Sequence, residues 1–245
     1  MDLRESMLEN KRHPWELSRA DCLFNIVKKH HLNTAADIGA GDGFFIKKLA
    51  SVIAGGLYAV DAGYAEKETF SGGIHYKNDI SLLPEPAGGG GSGIILMDVL
   101  EHVEDDAAFL DKILEKTPED GLIIITVPAF QFLFSAHDLF LKHYRRYNRK
   151  TLRALLARRV HIEKCHYFYA SLFLARAAGF FIKRKQLSGI GTWRFSETSV
   201  VTRFIRAVLN FDFYLCAFLA RFHFYPPGLS LLAVCRKTRE NRHSR

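Results

Sequence analysis

Three clusters in this 245-residue chain have residue types and spacing suited to chemistry. The first is Asp37-Ile38-Gly39-Ala40-Gly41-Asp42-Gly43, where three alternating glycines follow an acid. An apolar run at 35–38 reads as a buried strand, and the segment turns helical at 44–49. Strand, glycine turn and helix form the unit that brings backbone N–H groups close to a ligand. A Cβ there would block both the turn and the ligand's approach. The acid suits a ligand with an ammonium group. The second cluster is Asp98-Val99-Leu100-Glu101-His102-Val103. His102 is either a general base, with an ordinary pKa of about 6.5, or a pocket-shaping residue beside Glu101. The third contains His137-Asp138 and, a few residues on, His143-Tyr144-Arg145-Arg146-Tyr147. His137 beside Asp138 has the makings of a base and its orienter, and an Arg pair can grip a phosphate or carboxylate bidentately. The competing reading of the third cluster is a polar loop that folds back and ion-pairs with the sheet edge.

The elements that must position these clusters alternate strand and helix. Strands are expected at 35–38, 57–61, 75–78, 93–97, 122–127 and 160–168, with a last one in 226–236. Their near-continuous apolar runs predict a parallel sheet covered on both faces, whose ligands sit at the carboxyl ends of the strands. Gly39, Asp61, Asp79 and Asp98 all fall at such ends. Asp61 closes the second strand 20 residues beyond Gly41, where a carboxylate can accept both hydroxyls of a ribose. The glycine-rich stretch 84–93 reads as a surface connection. It is not a phosphate loop, because no Lys-Ser or Lys-Thr follows and a strand comes next.

Glycine spacing separates two cofactor classes. In G-x-G-x-x-G the third glycine would fall at Phe44; here it falls at Gly43, giving D-x-G-x-G-x-G. That form resembles motif I of class I S-adenosylmethionine (SAM)-dependent methyltransferases. Residues 98–103 closely resemble motif IV of the small-molecule branch, including the ubiquinone-biosynthesis O-methyltransferases. The run 128–152 is similar to the loop after the fifth strand in a bacterial branch of the superfamily. The resemblance covers roughly residues 30–160. It implies a Rossmann-like α/β fold with a seven-stranded, mostly parallel sheet and helices on both faces. It also implies SAM as cofactor and S-adenosylhomocysteine as product. The positions that match are Asp37, Gly39, Ala40, Gly41, Gly43, Asp61, Ala62, Asp79, Ile80, Met97, Asp98 and Val99. Asp79 would meet the adenine amino group. His102 and His137 are the candidate catalytic residues. His137, Asp138, Tyr144, Arg145, Arg146 and Tyr147 are the candidate acceptor contacts.

Outside that stretch, 1–33 is a lead-in with a helical pattern. Trp15 there either lines the cleft or anchors the helix. Residues 169–225 form a long helical insertion before the last strand, read as a lid or as a patch for an anionic membrane surface, the latter using Lys183-Arg184-Lys185. Neither of its apolar segments suits a membrane span. One methyltransferase domain of 1–245 is expected. Four scattered cysteines read as reduced core residues, and no metal site is indicated. The charged N-terminus lacks a signal-peptide apolar region, which predicts a cytoplasmic protein, peripheral to the membrane at most. Charge is unevenly spread: residues 1–138 carry a net −10 and residues 139–245 a net +18. The acidic half holds the glycine turn, so the basic half must face something else, such as an anionic small-molecule or lipid-linked acceptor, or a membrane. Nucleic acid is not expected, since no N/D-P-P-Y/F tetrapeptide follows the fourth strand. The alternatives are an NAD-linked oxidoreductase and a non-catalytic, membrane-associated SAM-binding protein.

Overall fold

The computed structural model describes residues 12–84, 91–182 and 195–238. Helix α1 (Pro14–Lys29) opens with proline in its first turn and a reciprocal cap between His13 and Glu16, and buries Leu17, Ala20, Leu23 and Val27. There follow β1 (Thr34–Ile38), α2 (Phe44–Leu49), β2 (Leu57–Val60), β3 (Glu68–Ser71), β4 (Ile74–Lys77), β5 (Ser92–Met97) and α3 (Asp106–Glu115). The chain continues with β6 (Leu122–Pro128), α4 (Ala136–Phe140), α5 (Arg149–Leu156), β7 (Val160–Phe168), α6 (Ala170–Ile182), α7 (Val200–Ala220) and β8 (Ser230–Lys237).

Among the described residues eight strands form one sheet in the order β3-β4-β2-β1-β5-β6-β8-β7. Strands β4, β2, β1, β5 and β6 run parallel, and β8 is antiparallel to both of its neighbours. The seven expected strands are present. The eighth, β3, is a correction: a short exposed edge strand pairs antiparallel with β4 across Gly72-Gly73, both at positive φ. Strand order reverses on either side of β1, and this opens a crevice at the carboxyl ends. The register pairs Ile38 with both Val60 and Leu96, so Gly39, Asp61 and Asp98 emerge side by side.

Two apolar layers flank the sheet. One packs Leu23, Ile46, Ile124 and Phe213; the other packs Leu96, Leu110, Ile123 and Leu152. The four cysteines are buried and unpaired, as the sequence suggested. In the insertion, α7 lays Thr202, Leu209, Phe213 and Cys216 inward and contacts α1 and β7. Asp212 of α7 caps α6 by accepting from the Ala170 and Ser171 N–H groups, at 3.0 and 2.7 Å. Lys183-Arg184-Lys185 lie outside the described residues. Among the described helices none is long and apolar enough to cross a membrane.

Candidate active site

The crevice holds a cavity of about 630 Å³, within the usual size range for small-molecule sites. Of the residues singled out for the cofactor, Gly39, Asp61, Ala62, Asp79, Ile80, Asp98 and Val99 line it. His102 and Tyr144 line it too. Asp37, Ala40, Gly41, Gly43 and Met97 are buried and are not among its lining residues. Gly39, Gly41 and Gly43 all take positive φ, at 70°, 57° and 73°. At Gly39 a Cβ would also lie 2.7 Å from Val99 Cγ2, so only glycine lets β1 turn beneath the β5 loop.

Asp61 fixes that turn. Its carboxylate accepts from the Gly41 and Gly63 N–H groups, each at 2.8 Å, and each oxygen keeps a lone pair for a ligand. Asp79 caps the short 3-10 turn Ile80–Leu82 through the Ser81 N–H, and the Ser81 side chain together with that N–H holds its carboxyl below the usual range. Asp37 is the anomaly of the glycine segment. Its side chain is buried and neither oxygen has a hydrogen-bond partner among the described residues. Burial, reinforced by Asp61 and Asp42, pushes its pKa up to about 7.

A second, smaller cavity of about 150 Å³ adjoins the first and shares Asp98, His102 and Leu141 with it. Trp15, Tyr169, Leu172 and Leu229 form apolar wall, and Arg19, Glu101, His137, His143, Arg146 and Arg176 supply polar groups. Trp15 therefore lines the site, with Arg19 stacked over its ring at 4.7 Å. Asp98 sits at φ 53°, a left-handed conformation that aims its side chain back at α1, where it pairs with Arg19. Burial would raise the Asp98 carboxyl, but Arg19 outweighs it and holds it below the usual range.

The polar residues of the segment after β6 pair extensively within the protein. Asp138 is fully buried and ties down its own loop. It accepts from His143 Nδ1 at 2.9 Å, from Arg146 Nε and Nη2 at 2.7 and 3.1 Å, and from the Ser135 N–H at 2.8 Å. These bonds overcome the cost of burial and hold its carboxyl far below the usual range. Ionised Asp138 makes Nδ1 of His143 the protonated nitrogen, which turns the other ring nitrogen into the basic one. The oriented histidine is thus His143, which belongs to the third cluster but is given no role of its own by the sequence; His137 lines the same cavity. Arg145 pairs with Asp106 at 2.9 Å and also donates to the Glu104 carbonyl. Tyr147 is buried, with its hydroxyl donating to Asp106 at 2.6 Å. Arg145, Arg146 and Tyr147, the candidate acceptor contacts, thus also clasp this loop against the β5 loop, and Arg146 lines the second cavity as well. The free-standing cation of the second cavity is Arg176 of α6. Among the described residues it bonds only to neutral oxygens, the Leu133 carbonyl and Ser135 hydroxyl, both at 3.3 Å.

Glu101 is fully buried on the same wall, and neither of its oxygens has a partner among the described residues. Burial and the Asp98 charge raise its pKa well above the usual range. The donor atoms of Glu101, His102 and His143 lie within 4.8 Å of one another, a set able to take a divalent cation. Since Glu101 binds its proton more tightly folded than unfolded, stability is lost as pH rises through its folded pKa. Glu101→Gln is therefore expected to gain stability over wild type as pH increases toward the alkaline range. Urea unfolding at several pH values measures this, and a difference independent of pH would contradict it.

No family model matches the chain, and no curated protein matches it. Solved structures do. A SAM-dependent methyltransferase from Archaeoglobus fulgidus is 19% identical, with 91% of this chain and 94% of that one covered, at a TM-score of 0.50. A geranyl diphosphate methyltransferase in complex with GPP and sinefungin is 11% identical, with 87% and 76% covered, at 0.51. At these identities the likeness is one of fold: the chain has the α/β fold of class I methyltransferases. The narrower resemblance of residues 98–103 to ubiquinone-biosynthesis enzymes receives no support from them.

Proposed function

We propose that the chain is a SAM-dependent methyltransferase acting on a small or lipid-linked acceptor with an anionic group. The observation that carries this reading is Asp37, an unpartnered buried carboxyl before a glycine turn, on the strand beside the one that Asp61 ends, and Asp61 has lone pairs to spare. An ammonium answers the first and a ribose the second, and SAM carries both. The aromatic base would lie toward Asp79 and Ile80, at the far side of the larger cavity. When bound, the cofactor supplies a methyl group already activated on a sulfonium.

The protein's share is then positioning and proton management. Asp98 and His102 border both cavities, so they would face the cofactor on one side and the acceptor on the other. His143, held by Asp138, is set to take a proton from an acceptor hydroxyl or amine. Trp15, Leu172 and Leu229 exclude water around it. Arg176 is placed to meet a carboxylate or phosphate.

Titration calorimetry tests the reading. SAM or S-adenosylhomocysteine is expected to bind more tightly than NAD. Asp61→Ala should weaken that binding about ten- to a hundredfold, from the loss of charge-assisted hydrogen bonds worth roughly 1.5–3 kcal/mol. Tighter binding of NAD would overturn the assignment.

A further inference from the structure

Helix α7 presents an apolar face that no described part of the chain covers. Val200, Phe204, Val208, Phe211, Leu215 and Phe218 are between 42% and 81% exposed. At 3.6 residues per turn these six fall within an arc of about 80°. Phe222, exposed one turn beyond, extends the row. The helix is not loosely attached. Its opposite face is buried, Arg206 is bonded to Asp21 at 2.6 Å, and the Tyr214 hydroxyl accepts from Asn25 at 2.7 Å. The structure thus fixes α7 in place with its phenylalanines outward.

Charge along this face has one sign. Arg203 and Arg221 are exposed and 18 residues apart, five full turns, so they stand in one row along the edge of the apolar arc. The one acid of α7, Asp212, is buried and spent on the start of α6. Beyond the helix, Glu197 precedes it and His223 follows it. Arg221 stands within electrostatic range of Lys164, as does Lys29; Glu163 in that region is paired with Arg236 at 2.6 Å.

We propose that this face of α7 docks on an anionic lipid bilayer, with the helix lying in the headgroup plane. A row of phenylalanines flanked by arginines, on a helix about 30 Å long, has the composition of an interfacial helix. The aromatic rings would enter the acyl boundary and Arg203, Arg221, Lys164 and Lys29 would meet lipid phosphates. A second copy of the chain fits less well. Antiparallel pairing of two α7 helices sets the Arg203 end of one row against the Arg221 end of the other, with no exposed acid on either helix to answer them. The proposal is independent of what the crevice binds.

Co-sedimentation of the full chain with vesicles tests it, using phosphatidylcholine alone or mixed with phosphatidylglycerol. Binding is expected to the mixed vesicles, weakened at high salt, and at least about tenfold less to phosphatidylcholine. The double variant Phe204→Glu, Phe211→Glu should lose binding, and Arg203→Glu with Arg221→Glu should lose the preference for anionic lipid. Both pairs are exposed, so melting temperature should stay near wild type, which shows that any loss is not unfolding. Failure to bind mixed vesicles at low salt overturns the proposal, as does equal binding to both vesicle types. A dimer in lipid-free solution that the phenylalanine variant dissociates, without vesicle binding by wild type, would assign the face to a second copy instead.

Discussion

Arg146→Ala is expected to lower the melting temperature by roughly 10 °C, from a loss of about 3–5 kcal/mol. The reason is what stays behind. Asp138 is fully buried and keeps its charge because Arg146 grips both of its oxygens and His143 donates to one. Removing the guanidinium leaves a buried carboxylate that has lost two of its five hydrogen bonds and its arginine charge partner. It also frees the backbone around Ala129, whose carbonyl accepts from Arg146 at 3.3 Å. The loop from Leu141 to Tyr144 walls the larger cavity, so cofactor affinity should fall along with stability. Arg176→Ala offers the contrast. Its hydrogen bonds go to neutral oxygens at long range, so its loss should leave stability and cofactor affinity almost unchanged and raise the acceptor's KM. Differential scanning fluorimetry and calorimetry on both variants give the answer. An Arg146→Ala protein that melts like wild type would return Arg146 to the acceptor.

The same pair sets an acid limit. Asp138 has a folded pKa far below its unfolded value near 3.9, so its contribution is complete above that value and fades as pH falls through the folded pKa. Loss of this contribution on acidification belongs to wild type and not to an Asp138→Asn variant.

What the sequence made legible was local. Strand, glycine turn and helix are adjacent in the chain, and the acids at strand ends follow from each strand's own length. Register then brings Gly39, Asp61 and Asp98 together without any further information. The misses were of two kinds. Strand β3 had a signal, the Gly72-Gly73 pair between Glu68–Ser71 and Ile74–Lys77, but its residues are all exposed and show no alternation to mark them. The identity of the charge partners had none. Arg19 lies 79 residues from Asp98, and nothing in the pattern of α1 says which of its polar residues turns inward. In the run from Ser135 to Tyr147 the residue types were right for a site. Their order, however, could not tell that Asp138 would reach five residues on to His143 and eight on to Arg146. An acidic residue beside a histidine suggests a dyad, but α4 begins at Ala136, and Asp138 at its third position bonds back to Ser135 as a cap.

Asp37→Asn is expected to move stability and cofactor affinity in opposite directions, which no purely structural role would do. In the free protein burial raises the Asp37 pKa to about 7, against about 3.9 unfolded. Its stabilising contribution is therefore complete below pH ~4 and lost as pH rises through 7. Asparagine escapes that loss, so the free variant should be the more stable of the two at pH 7.5 and lose its advantage toward pH 5, by linkage. Ligand binding runs the other way. An ammonium beside Asp37 favours the carboxylate and lowers its pKa, so binding below pH 7 must expel a proton. Wild-type affinity for S-adenosylhomocysteine should fall as pH drops from 7 to 5.5, approaching tenfold per unit, while that of Asp37→Asn stays flat. At pH 7.5 the variant should bind about ten- to a hundredfold more weakly, from the loss of a charge-assisted contact worth roughly 1.5–3 kcal/mol. Calorimetry in two buffers of different ionisation enthalpy counts the proton directly. A wild-type affinity that does not change over this range, or a variant weakened in stability and binding alike, would remove the ammonium from Asp37 and with it the strongest support for SAM in this crevice.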